Sequence, residues 1–295
     1  MNRRKADAAL ALNTVLWGAT FVLIKAALQG ITPTLFLLCR FSVAGVALAV
    51  IFRKHLSQSF PAAAWLPGLF LFAGFFFQTQ GLRFTTPAKS AFLTGLTTVL
   101  VPFVAALVYK TKPQFSEVVG ALVATLGMGL MTLQGPVGSI SRGDVLTLIC
   151  AIAFALHIVT LGHFSAVVSF PVLSVAQVGS AAVCALLLLP FAEAPRLTWQ
   201  PLTVWAILIT GLLCTALAFT IQAWAQRFTT STRTALIYAL EPVVALATSY
   251  VVAGEILSGQ VAVGAALILA GVVLVEVKPL QSVAHPTVQR HTEGL

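Results

Sequence analysis

Glu241 is the acidic residue least at home in its surroundings. It interrupts a long apolar run, with Tyr238 three residues before it and Pro242 directly after. A charge near the middle of a membrane costs at least about 2.5 kcal/mol on insertion scales. Such a carboxyl group must face a cavity, meet a partner or hold a proton. Pro242 cannot donate a backbone hydrogen bond, so it frees the carbonyl of Tyr238. A free carbonyl beside a carboxyl group is suited to bind a polar solute or pass a proton. The competing reading is a hydrogen bond that only fixes helix packing. His157 poses the same alternative, as proton relay or buried hydrogen-bond partner, because its reference pKa of about 6.5 lies near neutrality. Gln78 and Gln222 could bind polar groups or bridge helices. Trp17, Phe21 and Tyr238 could hold an apolar ligand body. Phe75, Phe76 and Phe77 cannot all face one cavity, because successive helical residues turn about 100°. Arg40 could bind an anionic group such as a carboxylate, or extend its charge towards a helix-end carbonyl. Pro102 and Pro242 are candidate hinges. Cys39, Cys150, Cys184 and Cys214 lie within apolar segments without metal-ligand or disulfide spacing, and no metal or other cofactor is implied.

The elements that position these residues follow from composition. The chain has 295 residues, 59% of them hydrophobic and only 8% charged, with a mean hydropathy of +0.98. Water-soluble domains carry about 25% charged residues, so the solvent here is lipid. Lipid satisfies no backbone polar group, which leaves helix bundles or closed barrels. Val43–Phe52 and Ala181–Pro190 are continuously apolar rather than alternating, so an all-α integral membrane fold is expected. No cleavable signal peptide is evident. The net charge of +9 is spread singly over segment ends, which reads as a topology signal and not as a nucleic-acid surface.

Ten transmembrane helices are predicted: Asp7–Ala27, Pro33–Phe52, Trp65–Phe84, Pro87–Tyr109, Phe115–Gln134, Asp144–Phe164, Pro171–Ala192, Leu202–Phe228, Thr232–Val252 and Ser258–Val277. Most hold about 20 residues, enough for a hydrocarbon core of about 30 Å. With a cytoplasmic N-terminus, eleven Lys and Arg residues fall at inner ends and five at outer ends. That bias places both termini in the cytoplasm, with the chain multi-pass in a bacterial-type inner membrane.

The chain also repeats itself. Gln78–Thr86 reads Q-T-Q-G-L-R-F-T-T and Gln222–Thr230 reads Q-A-W-A-Q-R-F-T-T, so five of nine positions match at an offset of 144. Lys89 and Arg233 keep that offset, as do Gly120 with Gly264 and Gly127 with Gly271. Asp7 and Asp144 open the first and sixth spans, and Pro33 and Pro171 the second and seventh. The domains are therefore residues 1–139 and 140–278, with a disordered tail over 279–295. Five spans is an odd number, so the second half enters the membrane from the opposite side. Inverted repeats around a central cavity are a common construction in secondary transporters, where two similar halves exchange conformations.

The sequence resembles the drug/metabolite transporter superfamily, in its ten-helix EamA-type branch. The resemblance rests on L-W-G-A-T-F at Leu16 to Phe21, C-R-F at Cys39 to Phe41, K-S-A-F-L-T-G-L at Lys89 to Leu96 and V-P-F at Val101 to Phe103. In the second half it rests on G-D-V-L-T-L at Gly143 to Leu148, L-I-Y-A-L-E-P-V at Leu236 to Val243 and G-E-I-L-S at Gly254 to Ser258. It implies alternating access around a cavity lined by the first, third, fourth, sixth, eighth and ninth helices. Some members, such as the YddG-type group, export aromatic amino acids. Two departures are visible: Lys110-Thr111-Lys112-Pro113 replaces a Gly-Glu pair, and Phe154 and Ala155 stand where Trp is frequent.

Together these readings predict a secondary exporter of small organic metabolites, amino acids first, with drugs or other metabolites as the alternative. The expected partners are a small-molecule substrate, the lipid bilayer and, as a coupling ion, protons. The expected substrate contacts are Trp17, Phe21, Gln78, His157, Gln222, Tyr238 and Glu241. An intramembrane lipid-modifying enzyme would need clustered acids, His or a nucleophile near an interface. The polar groups here are scattered, so an enzyme is not expected. A channel would need polar rings along a pore, and no Walker motif is present for ATP hydrolysis.

Overall fold

The computed structural model describes residues 3–18, 20–56, 62–110, 112–132, 140–244 and 259–277. The helices are α1 (Arg3–Gly18), α2 (Thr20–Ala27), α3 (Pro33–Ile51), α4 (Leu66–Leu82), α5 (Pro87–Gly95), α6 (Thr97–Tyr109), α7 (Phe115–Thr132), α8 (Arg142–Ser165), α9 (Phe170–Leu188), α10 (Pro201–Gly211), α11 (Ala218–Ala225), α12 (Ser231–Tyr238) and α13 (Gly259–Val277). Among the described residues there is no strand, only an isolated bridge between Ile31 and Leu197. Among the described residues six helical spans are long and apolar enough to cross a bilayer, and Leu66–Leu82, Phe115–Met131 and Gly259–Val275 are shorter apolar helices. α12 opens the ninth span, whose later part, residues 245–252, lies outside the described residues. The G-E-I-L-S motif and the tail over 279–295 lie outside them too. Leu107, Leu126 and Val50 project outward, at 80%, 66% and 64% exposure. Such a surface suits lipid, where each helix satisfies its own backbone.

Local chemistry starts the helices where the sequence places them. Pro33, Pro87, Pro171 and Pro201 stand in the first turn of α3, α5, α9 and α10, where a missing N–H costs nothing. Thr86 and Thr230 are matching N-caps, accepting from the backbone N–H of Lys89 and Arg233, each at 3.2 Å. Ser141 and Asp144 form a reciprocal capping box at the start of α8.

The pairing of helices is that of two halves related by an in-plane twofold axis. α7 packs along α13. At Gly120 an added Cβ would stand 2.8 Å from the carbonyl of Gly271, and at Gly271 it would stand 2.5 Å from that of Gly120. Gly127 and Gly264 oppose each other in the same way, at 2.4 and 2.6 Å. The repeat mates are Gly120 with Gly264 and Gly127 with Gly271, so each glycine meets its mate's neighbour. Such swapped contacts are the mark of a self-complementary twofold interface. The lower number of one helix meets the higher of the other, so α7 and α13 are antiparallel and the halves are inverted. Two ion pairs repeat the pattern. Lys89 meets Asp144 at 2.6 Å, and its mate Arg233 meets Asp7 at 2.9 Å.

Among the described residues three spans are interrupted. The fourth breaks at Leu96, whose N–H turns back to Leu93 and Thr94, and Pro102 stands further on, inside α6. The ninth breaks at Ala239 and Leu240, before helical residues 241–244. These breaks keep the offset of 144, although the prolines do not. Pro242 sits where it can cause its break. Pro102 sits six residues beyond the break in its own span. The eighth span widens into a π-helical turn, Leu212–Leu217, between α10 and α11. π-Turns leave main-chain carbonyls without their usual partners and recur at functional sites.

Candidate functional site

The π-helical turn organises the centre of the molecule. The carbonyl of Cys214 accepts from Trp17 Nε1 at 3.0 Å and from Arg40 Nη2 at 3.4 Å. Thr215 Oγ1 accepts from Arg40 Nε at 2.7 Å and donates to the carbonyl of Thr210 at 2.8 Å. Arg40 is only 2% exposed, and its guanidinium lies over the Phe75 ring at 4.1 Å. Among the described residues it has no acidic partner. Two of its five N–H groups are used. An aromatic layer continues from there. Phe219 meets Trp17, Phe75 and the His157 ring at 5.6, 5.9 and 5.5 Å. Trp17 packs edge-on against Tyr238 at 4.8 Å, and Asn13 Nδ2 donates to Tyr238 Oη at 3.2 Å and to the Ala218 carbonyl at 2.9 Å. First, second, third, sixth, eighth and ninth spans therefore converge on one polar and aromatic cluster.

Of the residues singled out from sequence, Trp17, Tyr238 and His157 come together here around Phe219. His157 Nε2 is 3.0 Å from Gln177 Oε1, and Gln177 Nε2 donates to the Phe219 carbonyl at 3.2 Å. That chain of bonds assigns the Nε2–H tautomer and gives His157 a positioning task. Glu241 lies three residues past Tyr238, beyond the break at Ala239 and Leu240, and is half-buried. Among the described residues no cation is within ion-pair distance of it. Phe21 belongs to α2, and its side chain lies outside what is described.

Gln78 and Gln222 stand apart from the cluster. Gln78 Nε2 donates to Thr94 Oγ1 at 3.2 Å. Gln222 Nε2 donates to Gln226 Oε1 at 3.3 Å, and Gln226 in turn donates to the Ile158 carbonyl at 3.0 Å. Gln78 bridges two helices, whereas Gln222 bonds within its own segment. Asn13, Phe219, Gln177 and the π-helical carbonyl were not singled out from sequence. Asn13 carried the one available signal, a polar residue six positions after Asp7 on the face of α1 that meets the second half.

Arg40 supports a specific test. The oxygens it contacts keep other bonds without it: Trp17 still donates to the Cys214 carbonyl, and Thr215 still bonds to Thr210. Burying a guanidinium without an acidic partner costs free energy. Arg40→Met is therefore expected to leave thermal stability in detergent unchanged or slightly higher. A large fall in Tm would instead make Arg40 a folding residue.

Comparison with known proteins agrees with the architecture. The model of the EamA-like transporter family matches residues 4–133 and again residues 141–277. An uncharacterized transporter of Archaeoglobus fulgidus is 34% identical over 280 residues, covering 94% of this chain and 88% of the relative. The uncharacterized transporter YyaM of Bacillus subtilis is 26% identical over 276 residues, covering 88% and 89%. A solved crystal structure shares the fold with a TM-score of 0.73 at 20% identity, covering 92% of this chain and 98% of the other. The chain belongs to the EamA-like transporter family of the drug/metabolite transporter superfamily, and is a multi-pass membrane transporter of small molecules.

Proposed function

We propose that this transporter is a secondary exporter of small organic metabolites, amino acids foremost, working by alternating access between its two inverted halves. The observation that carries the reading is the guanidinium of Arg40, buried without an acid among the described residues and resting on an aromatic layer. A substrate carboxylate would supply the missing anion and use the unspent N–H groups in a two-point grip. Trp17, Phe75 and Phe219 would cover an apolar or aromatic body. Tyr238 and Glu241 would meet its polar or cationic end, with Asn13 Oδ1, buried without a hydrogen-bond partner among the described residues, as a further acceptor. Pro242 and the breaks at Leu96 and Leu240 would let the fourth and ninth spans bend.

The Lys and Arg bias supports an N-terminal face in the cytoplasm of a bacterial-type inner membrane, and export would then run from the Asp7 face to the Asp144 face. Glu241 would carry the coupled proton. The test is counterflow in proteoliposomes with labelled phenylalanine, leucine and alanine. Saturable exchange is expected, and Arg40→Met should lose it for the amino acids while their decarboxylated amines are unaffected. Absence of saturable exchange for every carboxylate tried would reject the substrate class. Glu241→Gln should flatten the pH profile of exchange. A wild-type profile in that variant would remove protons from the scheme.

A further inference from the structure

Two contacts between the halves are swapped images of each other and lie at opposite ends of the spans. On the N-terminal face Arg233 donates through Nε and Nη2 to Asp7 Oδ2, at 3.2 and 2.9 Å. On the far face Lys89 Nζ donates to Asp144 Oδ2 at 2.6 Å. One layer deeper the pattern recurs. Asn13 reaches Tyr238 at 3.2 Å, and Thr94 Oγ1 lies 3.8 Å from Cys150 Sγ. Asn13 and Cys150 are mates at the same offset as Asp7 and Asp144. Tyr238 and Thr94 are mates at the same offset as Arg233 and Lys89.

We infer that these two ion pairs are the transporter's gates, one for each side of the membrane, and that they open in turn. This inference rests on the alternating-access reading. Each pair joins a span of one half to a span of the other. Asp7, Asn13 and Trp17 follow one another down α1, facing Arg233 and Tyr238 on α12, so the Asp7–Arg233 pair closes the route from the N-terminal face to the Trp17–Tyr238 contact. Asp144 and Cys150 on α8, facing Lys89 and Thr94 on α5, close the opposite route. Both pairs are partly wetted. Asp7 is 16% exposed, and Lys89 is 24% exposed. A pair that water can reach is a bond that can be broken and remade.

The two gates differ in the bonds around them. Asp144 Oδ1 accepts from Thr85 Oγ1 at 2.8 Å, and Asp144 Oδ2 also accepts from the Ser141 N–H at 2.8 Å. On the other face the equivalent atoms, Asp7 Oδ1 and Thr229 Oγ1, are buried and make no hydrogen bond among the described residues. The far gate gains a further tie where Lys25 Nζ donates to the Thr85 carbonyl at 2.7 Å.

The chain supplies its own reporter, since Cys150 lies just beneath the far gate and is fully buried. With Cys39, Cys184 and Cys214 replaced by Ala, a membrane-impermeant maleimide is applied from the far face of vesicles of known orientation. Asp144→Asn and Lys89→Gln should each raise Cys150 labelling at least tenfold. The charge-swapped pair Lys89→Asp with Asp144→Lys should return it towards wild type. Asp7→Asn should not raise it. Wild-type labelling in both far-gate variants while counterflow proceeds would overturn the gates. So would an equal rise in Asp7→Asn, which would mean general loosening. Labelling that follows the gates in a protein with no saturable counterflow would support the gates and reject the transport reading instead.

Discussion

Gly127→Leu is expected to leave no folded, monodisperse protein and no measurable exchange. An added Cβ at Gly127 already stands 2.4 Å from the Gly264 carbonyl and 2.8 Å from the Ile268 N–H nitrogen. These are backbone atoms on a helix held by its own ladder, so they cannot swing aside as a flexible side chain would. Apolar surface gains nothing by leaving lipid for protein. Helices in membranes associate through close packing of small residues, and the antiparallel α7–α13 seam is built that way. Gly127→Ala and Gly264→Ala should each cost about 1–3 kcal/mol, the usual range for overpacking, and should lower Tm together more than either does alone. Gly45 is the control, because nothing lies within 4 Å of its added Cβ. Gly45→Ala should be neutral or stabilising, since Ala exceeds Gly in helix propensity by about 1 kcal/mol. Size-exclusion profiles and Tm in detergent separate the outcomes. A well-folded Gly127→Leu protein would mean that the seam is not the pivot between the halves.

Trp17→Ala should cut exchange by about tenfold to a hundredfold while most of the protein stays folded. The indole donates its N–H to the Cys214 carbonyl and packs its ring against Phe219 and Tyr238. Aromatic pairs contribute about 0.5–1.5 kcal/mol each and a hydrogen bond about 1 kcal/mol, so their loss at a binding surface reaches that range of rate. The Cys214 carbonyl keeps Arg40, which limits the structural damage. Trp17→Phe keeps a ring but loses the N–H donor, and should fall between the two. Initial exchange rates at subsaturating substrate, set beside Tm, make the comparison. A Trp17→Ala protein with wild-type exchange would move the substrate site away from the aromatic layer.

Much of the architecture was legible in the residues. Pro33, Pro87, Pro171 and Pro201 mark helix starts, because proline is indifferent to its missing N–H only there. The matched Asp7 with Asp144 and Lys89 with Arg233 announced an inverted repeat, although not that the mates exchange partners across it. The central site was less legible. Arg40 sits in a span that is apolar on every side, so no hydrophobic stripe tells whether its guanidinium turns inward or reaches an interface. The π-helical turn has no residue signature in L-L-C-T-A-L, since it is set by what packs on the eighth span. Gln78 and Gln222 match in sequence but differ in contact. The second half carries Gln226 where the first has Leu82, so Gln222 finds a partner on its own helix and Gln78 must reach Thr94. Pro102 and Pro242 looked like equal hinges, yet only Pro242 lies beside the break in its span.

Reciprocal motion of the two faces is the most direct measurement. Arg83 and Arg142 lie on the far face, and their mates Arg227 and Lys5 lie on the N-terminal face, all four exposed. Spin labels on Arg83 with Arg142, and separately on Arg227 with Lys5, report the two openings by dipolar broadening in reconstituted protein without and with saturating substrate. One distance should lengthen as the other shortens. Two distances that change together, or that stay fixed while exchange saturates, would contradict a carrier built on exchange between inverted halves.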